Sequence, residues 1–325
     1  MGNRTGKFFT ITTWGEAHGP AIGVVVDGCP AGMVLSQNDI QKELDSRRPG
    51  TSAQVSPRKE PDQAQILSGI FEGETTGTPI SIIIWNEDVR SQPYESIKHL
   101  LRPGHANSTY LTKYGIFDHR GGGRASARET ATRVAGGAVA LKLIESFGMH
   151  IETSVETGDI DAAMAEGDSV GGIVTLQITN VLPGLGMPVF DRLEADLAKA
   201  MLSIPASKGF EIGRGFEAAS MRGSDHNDGF DGETNHAGGT LGGISTGQPI
   251  KCRIAFKPTS TIKKQQVTKT VTGDHAIFDL PPGHRHDPCV ALRASPVCKA
   301  MAALVLADHL LANQSSQLKN VALMP

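Results

Sequence analysis

Three histidines lie in loops flanked by glycine or proline. They are His18 in Gly15-Glu16-Ala17-His18-Gly19-Pro20, His105 in Leu101-Arg102-Pro103-Gly104-His105-Ala106-Asn107, and His286 in His284-Arg285-His286-Asp287. Imidazole is the side chain best poised to move a proton near neutral pH. A single loop histidine is ordinarily just surface, but these three recur among arginines. Arg120-Gly121-Gly122-Gly123-Arg124-Ala125-Ser126-Ala127-Arg128 runs into a helical stretch, so its backbone N–H groups and guanidinium groups suit an anion. Arg47-Arg48-Pro49-Gly50-Thr51-Ser52 follows a helix end, and Arg102 stands three residues before His105. Lys257-Pro258-Thr259-Ser260-Thr261 offers an ammonium and hydroxyls, which suits a phosphate tail, although an ordinary polar turn has the same composition. Lys and Arg number 31 against 34 Asp and Glu, a net charge of −3, so the positive charge is concentrated locally. A small polyanion fits that distribution better than a nucleic acid. Residue types and spacing alone reach an enzyme or a binding protein for a small phosphorylated, carboxylated ligand. They do not specify a reaction.

Other chemistries are disfavoured. Gly2 to Gly6-Lys7 has three intervening residues rather than the four of a P-loop, and Phe8 stands where a hydroxyl is needed. The Asp225–Asp231 loop has Gly229 at a calcium-ligand position and no closing glutamate. No third ligand cluster joins His284, His286 and Asp287, so no metal is expected. Cys29, Cys252, Cys289 and Cys298 form no CxxC pair, which indicates neither a zinc site nor a disulfide framework. Aromatic residues are only 5%, too few for base-stacking platforms. No run of 18 apolar residues and no leader-like N-terminus is visible, so the chain reads as a cytoplasmic protein.

These loops need elements to position them. Apolar and alternating runs predict strands at Gly23–Val26, Ile66–Phe71, Pro79–Trp85, Gly172–Ile178 and Ile250–Phe256. Helices are predicted at Gln37–Arg47 behind a Ser36 cap, Ser126–Phe147 ending at Gly148, Phe190–Ser203 halted by Pro205, and Pro296–Leu311. Gly136-Gly137 inside the second helix implies close packing against another element, since each costs about 1 kcal/mol relative to alanine. Glycine (38) and proline (18) exceed the average share of about 12%, which means many turns. Segments 222–234 and 263–284 read as long loops suited to lids or ligand binding. Strands and helices do not alternate, which favours an α+β layered fold, and with no repeat or linker visible the 325 residues read as one domain.

With these segments in hand, the chain closely resembles chorismate synthase over nearly its whole length. The matching segments include Thr12–Gly19, Arg47–Ser52, Glu60-Pro61-Asp62-Gln63, Gly73–Pro79, Arg102–Ala106, Arg120–Glu129, Ser203–Ala206, Asn235–Gly239, Lys257–Ser260 and Arg285–Cys289. The resemblance implies a sandwich of helices between sheets, assembled as a homotetramer. It also implies anti-1,4-elimination of phosphate from 5-enolpyruvylshikimate 3-phosphate to give chorismate, with reduced FMN required but no net redox change. Carried over by motif, the catalytic residues are His18, His105 and Asp287. The flavin contacts are Arg124, Ala125, Ser126, Pro205, Ala206, Gly242, Lys257, Pro258, Thr259, Ser260, Thr261 and Arg285. Arg47, with Arg48 beside it, meets a phosphate of substrate or of NADP. No nicotinamide motif is visible, so an external flavin reductant is expected. Three positions depart from the family pattern: Ala17 stands for a serine, Ala53 for an arginine and Lys299 for a glutamate. A flavin oxidoreductase and a non-catalytic flavin or phosphate binder are the alternatives on the same scaffold.

Overall fold

The computed structural model describes residues 2–48, 60–283 and 287–321. Two antiparallel sheets enclose a layer of helices. The first sheet has the order Arg4–Thr5, Thr10–Gly15, Ala21–Asp27, Ile80–Trp85, Ala64–Ile66. The second has the order Ser207–Ile212, Ile250–Phe256, Gly172–Thr179, His150–Thr157. Ile250–Phe256 alternates strictly between buried and exposed residues, as a strand with one face on a core must.

Between the sheets lie α1 (Gln37–Arg47), α3 (Thr130–Glu145), α4 (Leu193–Leu202) and α5 (Ala291–Asn313), while α2 (Asn107–Tyr114) lies in the loops. Helix α1 begins as expected, with Ser36 and Asp39 forming a reciprocal capping box. Helix α3 packs on the first sheet and α5 on the second, and the two pack on each other. Every residue of α3 except Arg133, Lys142 and Glu145 is buried, because helices and strands cover it all round. The glycine pair makes this possible. A Cβ on Gly136 would stand 3.0 Å from Ile11 in the first sheet, and one on Gly137 would stand 2.5 Å from the Ala300 Cβ in α5.

Helix α5 differs from expectation by starting at Ala291 rather than Pro296. Proline removes one N–H from the helix ladder, and burial of Ala291, Ala294, Val297 and Cys298 keeps the preceding turn in place. By length and composition α5 could cross a membrane, but 67% of its most apolar window is buried inside the fold. Strands Thr10–Gly15, His150–Thr157 and Ser207–Ile212 were not evident in the sequence, because polar residues interrupt their apolar patterns. The two segments read as loops contain structure: a helical turn at Gly223–His226, and a hairpin of Gln266–Lys269 with His275–Phe278.

The structure also contains a repeat that the sequence reading missed. Gly73-Glu74-Thr75-Thr76-Gly77-Thr78-Pro79-Ile80 and Gly243-Ile244-Ser245-Thr246-Gly247-Gln248-Pro249-Ile250 occupy equivalent places, each ending a small hairpin and leading into a central strand. Their hydrogen bonds correspond. Thr76 N–H donates to the Gly69 carbonyl at 3.0 Å, and Thr246 N–H to that of Gly239 at 2.9 Å. The Thr75 and Ser245 hydroxyls donate to the Pro30 and Leu182 carbonyls, both at 2.6 Å. Each half contains, in order, strand, helix, strand, hairpin, strand and helix. The two halves meet at the α3–α5 contact and share one core.

Candidate active site

Three groups of side chains line the loops at the ends of these elements. The first surrounds His105. The Pro103 carbonyl lies 2.8 Å from Nδ1 and only accepts, while the Arg102 guanidinium lies 2.8 Å from Nε2 and only donates. These contacts suit the tautomer with its proton on Nδ1, whose Nε2 lone pair faces Arg102 and the Thr261 hydroxyl at 3.1 Å. Burial pulls the Arg102 guanidinium below its ordinary pKa.

The Lys257–Thr261 loop closes over this group. Ser260 Oγ donates to the Gly104 carbonyl at 3.0 Å, Lys257 Nζ contacts Ser260 Oγ, and Lys257 N–H donates to the Ala206 carbonyl at 3.0 Å. Pro205-Ala206 thus reaches the same loop from the end of α4. Gly104 has φ +68, and a Cβ there would stand 2.6 Å from Ser260 Oγ, so this crossing requires glycine. Burial, with Lys208 nearby, lowers the Lys257 ammonium from its ordinary range.

The second group holds His18. Its Nδ1 lies 2.9 Å from Ser91 Oγ, and its ring meets Tyr94 edge-on with centroids 5.3 Å apart. The Arg102 guanidinium lies 5.5 Å from the centroid of the same Tyr94 ring. Tyr94 and Arg102 therefore link His18 to His105. Gly121 of the glycine-rich turn packs against the His18 ring, and Arg124, Ala125 and Ser126 follow directly. Arg124 donates to Thr13 Oγ1 at 2.7 Å and to the Gly15 carbonyl at 3.1 Å, which pins the turn to the first sheet. It also lines a cavity of about 570 Å³ with Glu129 and Arg133. Ser126 Oγ accepts from Arg128 N–H at 3.3 Å.

The third group is buried. Arg47 is 1% exposed and donates to Asp62 at 2.8 Å, Thr130 Oγ1 at 3.1 Å and the Ala127 carbonyl at 3.1 Å. Arg128 also bonds Asp62 and donates to Asn86 Oδ1 at 2.9 Å. Burial opposes the Asp62 charge, but Arg47 and Arg128 outweigh it and hold the carboxylate below its usual range. Burial and Arg293 bring the Arg47 guanidinium down to about 9, so it stays protonated at neutral pH. Asp287 is fixed by Arg293 at 2.9 Å, and Arg293 Nε donates to the Arg47 carbonyl at 3.4 Å. The other half has a counterpart, in which Arg133 donates to the Ser203 carbonyl at the end of α4 at 3.1 Å.

The fold thus gathers His18, His105, Ala206, Lys257, Ser260, Thr261 and the Gly121–Ser126 turn, with Asp287 beside the buried cluster. Arg47, expected to meet a phosphate, is buried and bonded to Asp62 and Thr130. It braces the wall, and Arg48 is the neighbour that reaches solvent. Gly242 stands apart at an exposed hairpin tip with φ +62 and open space around it. Arg285, His286 and Ala53 lie outside the described residues. Lys299 donates to both Glu43 carboxylate oxygens, at 2.9 and 3.0 Å, so its inverted charge has a partner. Sequence reasoning missed Ser91, Tyr94, Arg293 and the role of Asp62. The need of two buried arginines for a counter-charge points to Asp62 only once their burial is known.

The chemistry of the donor set fits an anionic, hydrogen-bonding cofactor. Thr259 Oγ1 and Arg102 Nε are buried without hydrogen-bond partners among the described residues, and buried polar groups are normally satisfied. Among the same residues Lys257 has no carboxylate partner, so its ammonium is available to a phosphate.

Comparison with known proteins decides the family. The chorismate synthase family profile matches residues 9–159 and 154–311. The chain belongs to the chorismate synthase family. The chorismate synthase of Protochlamydia amoebophila is 52% identical, with 97% of this chain and 99% of the relative covered. That of Methanosarcina mazei is also 52% identical, covering 95% and 96%. A crystal structure of chorismate synthase superposes with a TM-score of 0.73 at 30% identity, covering 98% of this chain and 96% of that one. The family performs the last step of the shikimate pathway as a lyase, and the α+β sandwich is its fold. Against the Protochlamydia enzyme the alignment spans 363 positions, more than the 325 residues of this chain. At least 38 of those positions therefore have no counterpart here.

Proposed function

We propose that this chain eliminates phosphate from 5-enolpyruvylshikimate 3-phosphate to give chorismate, at a site that holds reduced FMN. One observation carries the reading. Two loop histidines are joined through Tyr94 and Arg102, beside a loop whose ammonium has no carboxylate partner and whose buried Thr259 hydroxyl has no hydrogen-bond partner among the described residues. Lys257, Thr259, Ser260 and Thr261, with Ala206, Pro205, Pro258 and the Arg124–Ser126 turn, would hold the flavin. Arg285 joins this set from the family pattern. The chemistry reduced flavin would supply there is electron density for the allylic system, lent and recovered without net oxidation.

The protein's own residues do the rest. His18, at the glycine-rich turn, protonates the departing phosphate, and Arg48 with the arginine turns balances the substrate's phosphate and two carboxylates. His105 presents its Nε2 as an acceptor held by Arg102 and Thr261, a fixed place for a proton at the cofactor's edge. Asp287, oriented by Arg293, accepts the proton that leaves the substrate ring. Arg47, Asp62 and Arg128 keep these loops in place. A single domain over the whole chain, a homotetramer, an external flavin reductant and a cytoplasmic setting accompany this reading. The shared core of the two halves supports the single domain.

The test is anaerobic incubation of the protein with substrate and dithionite-reduced FMN, following phosphate and chorismate absorbance. Phosphate and chorismate in equal amounts support the reading. Consumption of reductant in step with product would indicate an oxidoreductase, and absence of phosphate a binding protein.

A further inference from the structure

The Ser91–Tyr94 turn has no role in the reading above, yet it makes a direct polar contact with His18. Ser91 Oγ lies 2.9 Å from Nδ1, Tyr94 packs edge-on with an interplanar angle of 88°, and Gly121 lies along the opposite edge. A Cβ on Gly121 would stand 2.4 Å from both Cδ2 and Nε2, so the glycine turn faces the Nε2 side of the ring. The preceding residue, Ala17, is buried and has no hydroxyl to offer.

From this clamp we infer that Ser91 is the positioning residue for His18. In this role its hydroxyl accepts the Nδ1 proton, which a hydroxyl can do for both the neutral and the protonated ring. The proton that moves is then the one on Nε2, on the side of the glycine turn where an anion would sit. Without the hydroxyl the ring is free to rotate or change tautomer, and its active fraction falls. Tyr94 limits rotation about the ring but cannot set the tautomer, because it meets His18 through a ring contact. The inference rests on the elimination proposed above, so its test needs one readout that does not depend on turnover.

The variants are Ser91→Ala, Ser91→Thr, His18→Ala and the double variant Ser91→Ala/His18→Ala, each studied as the full chain. With one neutral hydrogen bond worth about 0.5–1.5 kcal/mol, Ser91→Ala is expected to lower kcat roughly two- to tenfold with KM within about twofold. Ser91→Thr, which keeps the hydroxyl, should recover most of kcat. In the His18→Ala background the same Ser91 change should have no further effect, because the group it positions is gone. Independently, ¹⁵N NMR should place the His18 proton on Nδ1 in the parent and show mixed tautomers in Ser91→Ala, the His18→Ala spectrum giving the assignment. An unchanged His18 tautomer would overturn the inference, as would equal losses of kcat in both backgrounds. If the parent releases no phosphate, the functional reading fails and the NMR result alone decides the role of Ser91.

Discussion

Removing the Asp62 carboxylate should destabilise the protein by about 3–5 kcal/mol, the cost of leaving buried charge without its partner. The structure sets that magnitude. Asp62 is 0% exposed and bonds Arg47 at 2.8 Å and Arg128 as well, and both guanidinium groups are themselves nearly inaccessible. Each charge-assisted hydrogen bond contributes about 1.5–3 kcal/mol, so two of them reach the same range. In Asp62→Ala, two guanidinium groups would face each other with Arg293 close by, and the buried Glu60, 3.8 Å from Arg128 and not hydrogen-bonded to it, would compensate only in part. Asp62→Asn retains an acceptor and should lose less, roughly 1–3 kcal/mol. Equilibrium urea unfolding, followed by the fluorescence of Trp14 and Trp85, measures both. The pH dependence has a definite sign. The folded pKa of Asp62 lies below its ordinary value of about 3.9. Its stabilisation is therefore complete above pH ~4 and is lost as pH falls through the lower folded value. The gap between parent and Asp62→Ala should stay constant from pH 8 to pH 5, roughly, and narrow below about pH 4. A loss below about 1 kcal/mol at neutral pH, or a gap that widens in acid, would refute the reasoning.

Other expectations follow from the same geometry. His18→Ala and His105→Ala should each lower kcat by roughly 10²–10⁴, the usual range for a positioned proton donor or acceptor. Near-parental turnover by either variant removes that histidine from the mechanism. Lys257→Ala should weaken reduced FMN binding about tenfold or more in a titration, since one charge-assisted hydrogen bond is worth about 1.5–3 kcal/mol. Unchanged affinity would place the cofactor elsewhere. Gly137→Ala should cost about 1–3 kcal/mol of stability, because its Cβ would stand 2.5 Å from that of Ala300. Replacing Ala300 by glycine as well should restore part of it.

The layered α+β fold was legible because periodicity survives wherever an element has one buried face. Helix α1 and the strand Ile250–Phe256 lie where their patterns and caps place them. Thr10–Gly15 was not legible, because Thr10, Thr12 and Thr13 blur the apolar signal that Ile11 and Trp14 carry. The duplication escaped notice because the halves share turn chemistry, such as Thr75 and Ser245, far more than core residues. For the site, glycine and proline marked the loops and their arginines marked charge. Sequence could not say that Arg47 turns inward, since burial depends on Asp62 and Thr130 arriving from distant segments. Nor could it reveal the Ser91 contact, in which 73 positions separate two side chains that meet only in the folded chain.

The most direct test of the central claim is the number of turnovers per flavin. With the enzyme under strict anaerobiosis, reduced FMN is supplied in amounts well below the phosphorylated substrate, and phosphate is measured alongside the flavin spectrum. The account predicts many phosphates released per flavin while the spectrum stays that of the reduced form. One phosphate or fewer per flavin, with the flavin oxidised in step, would contradict it.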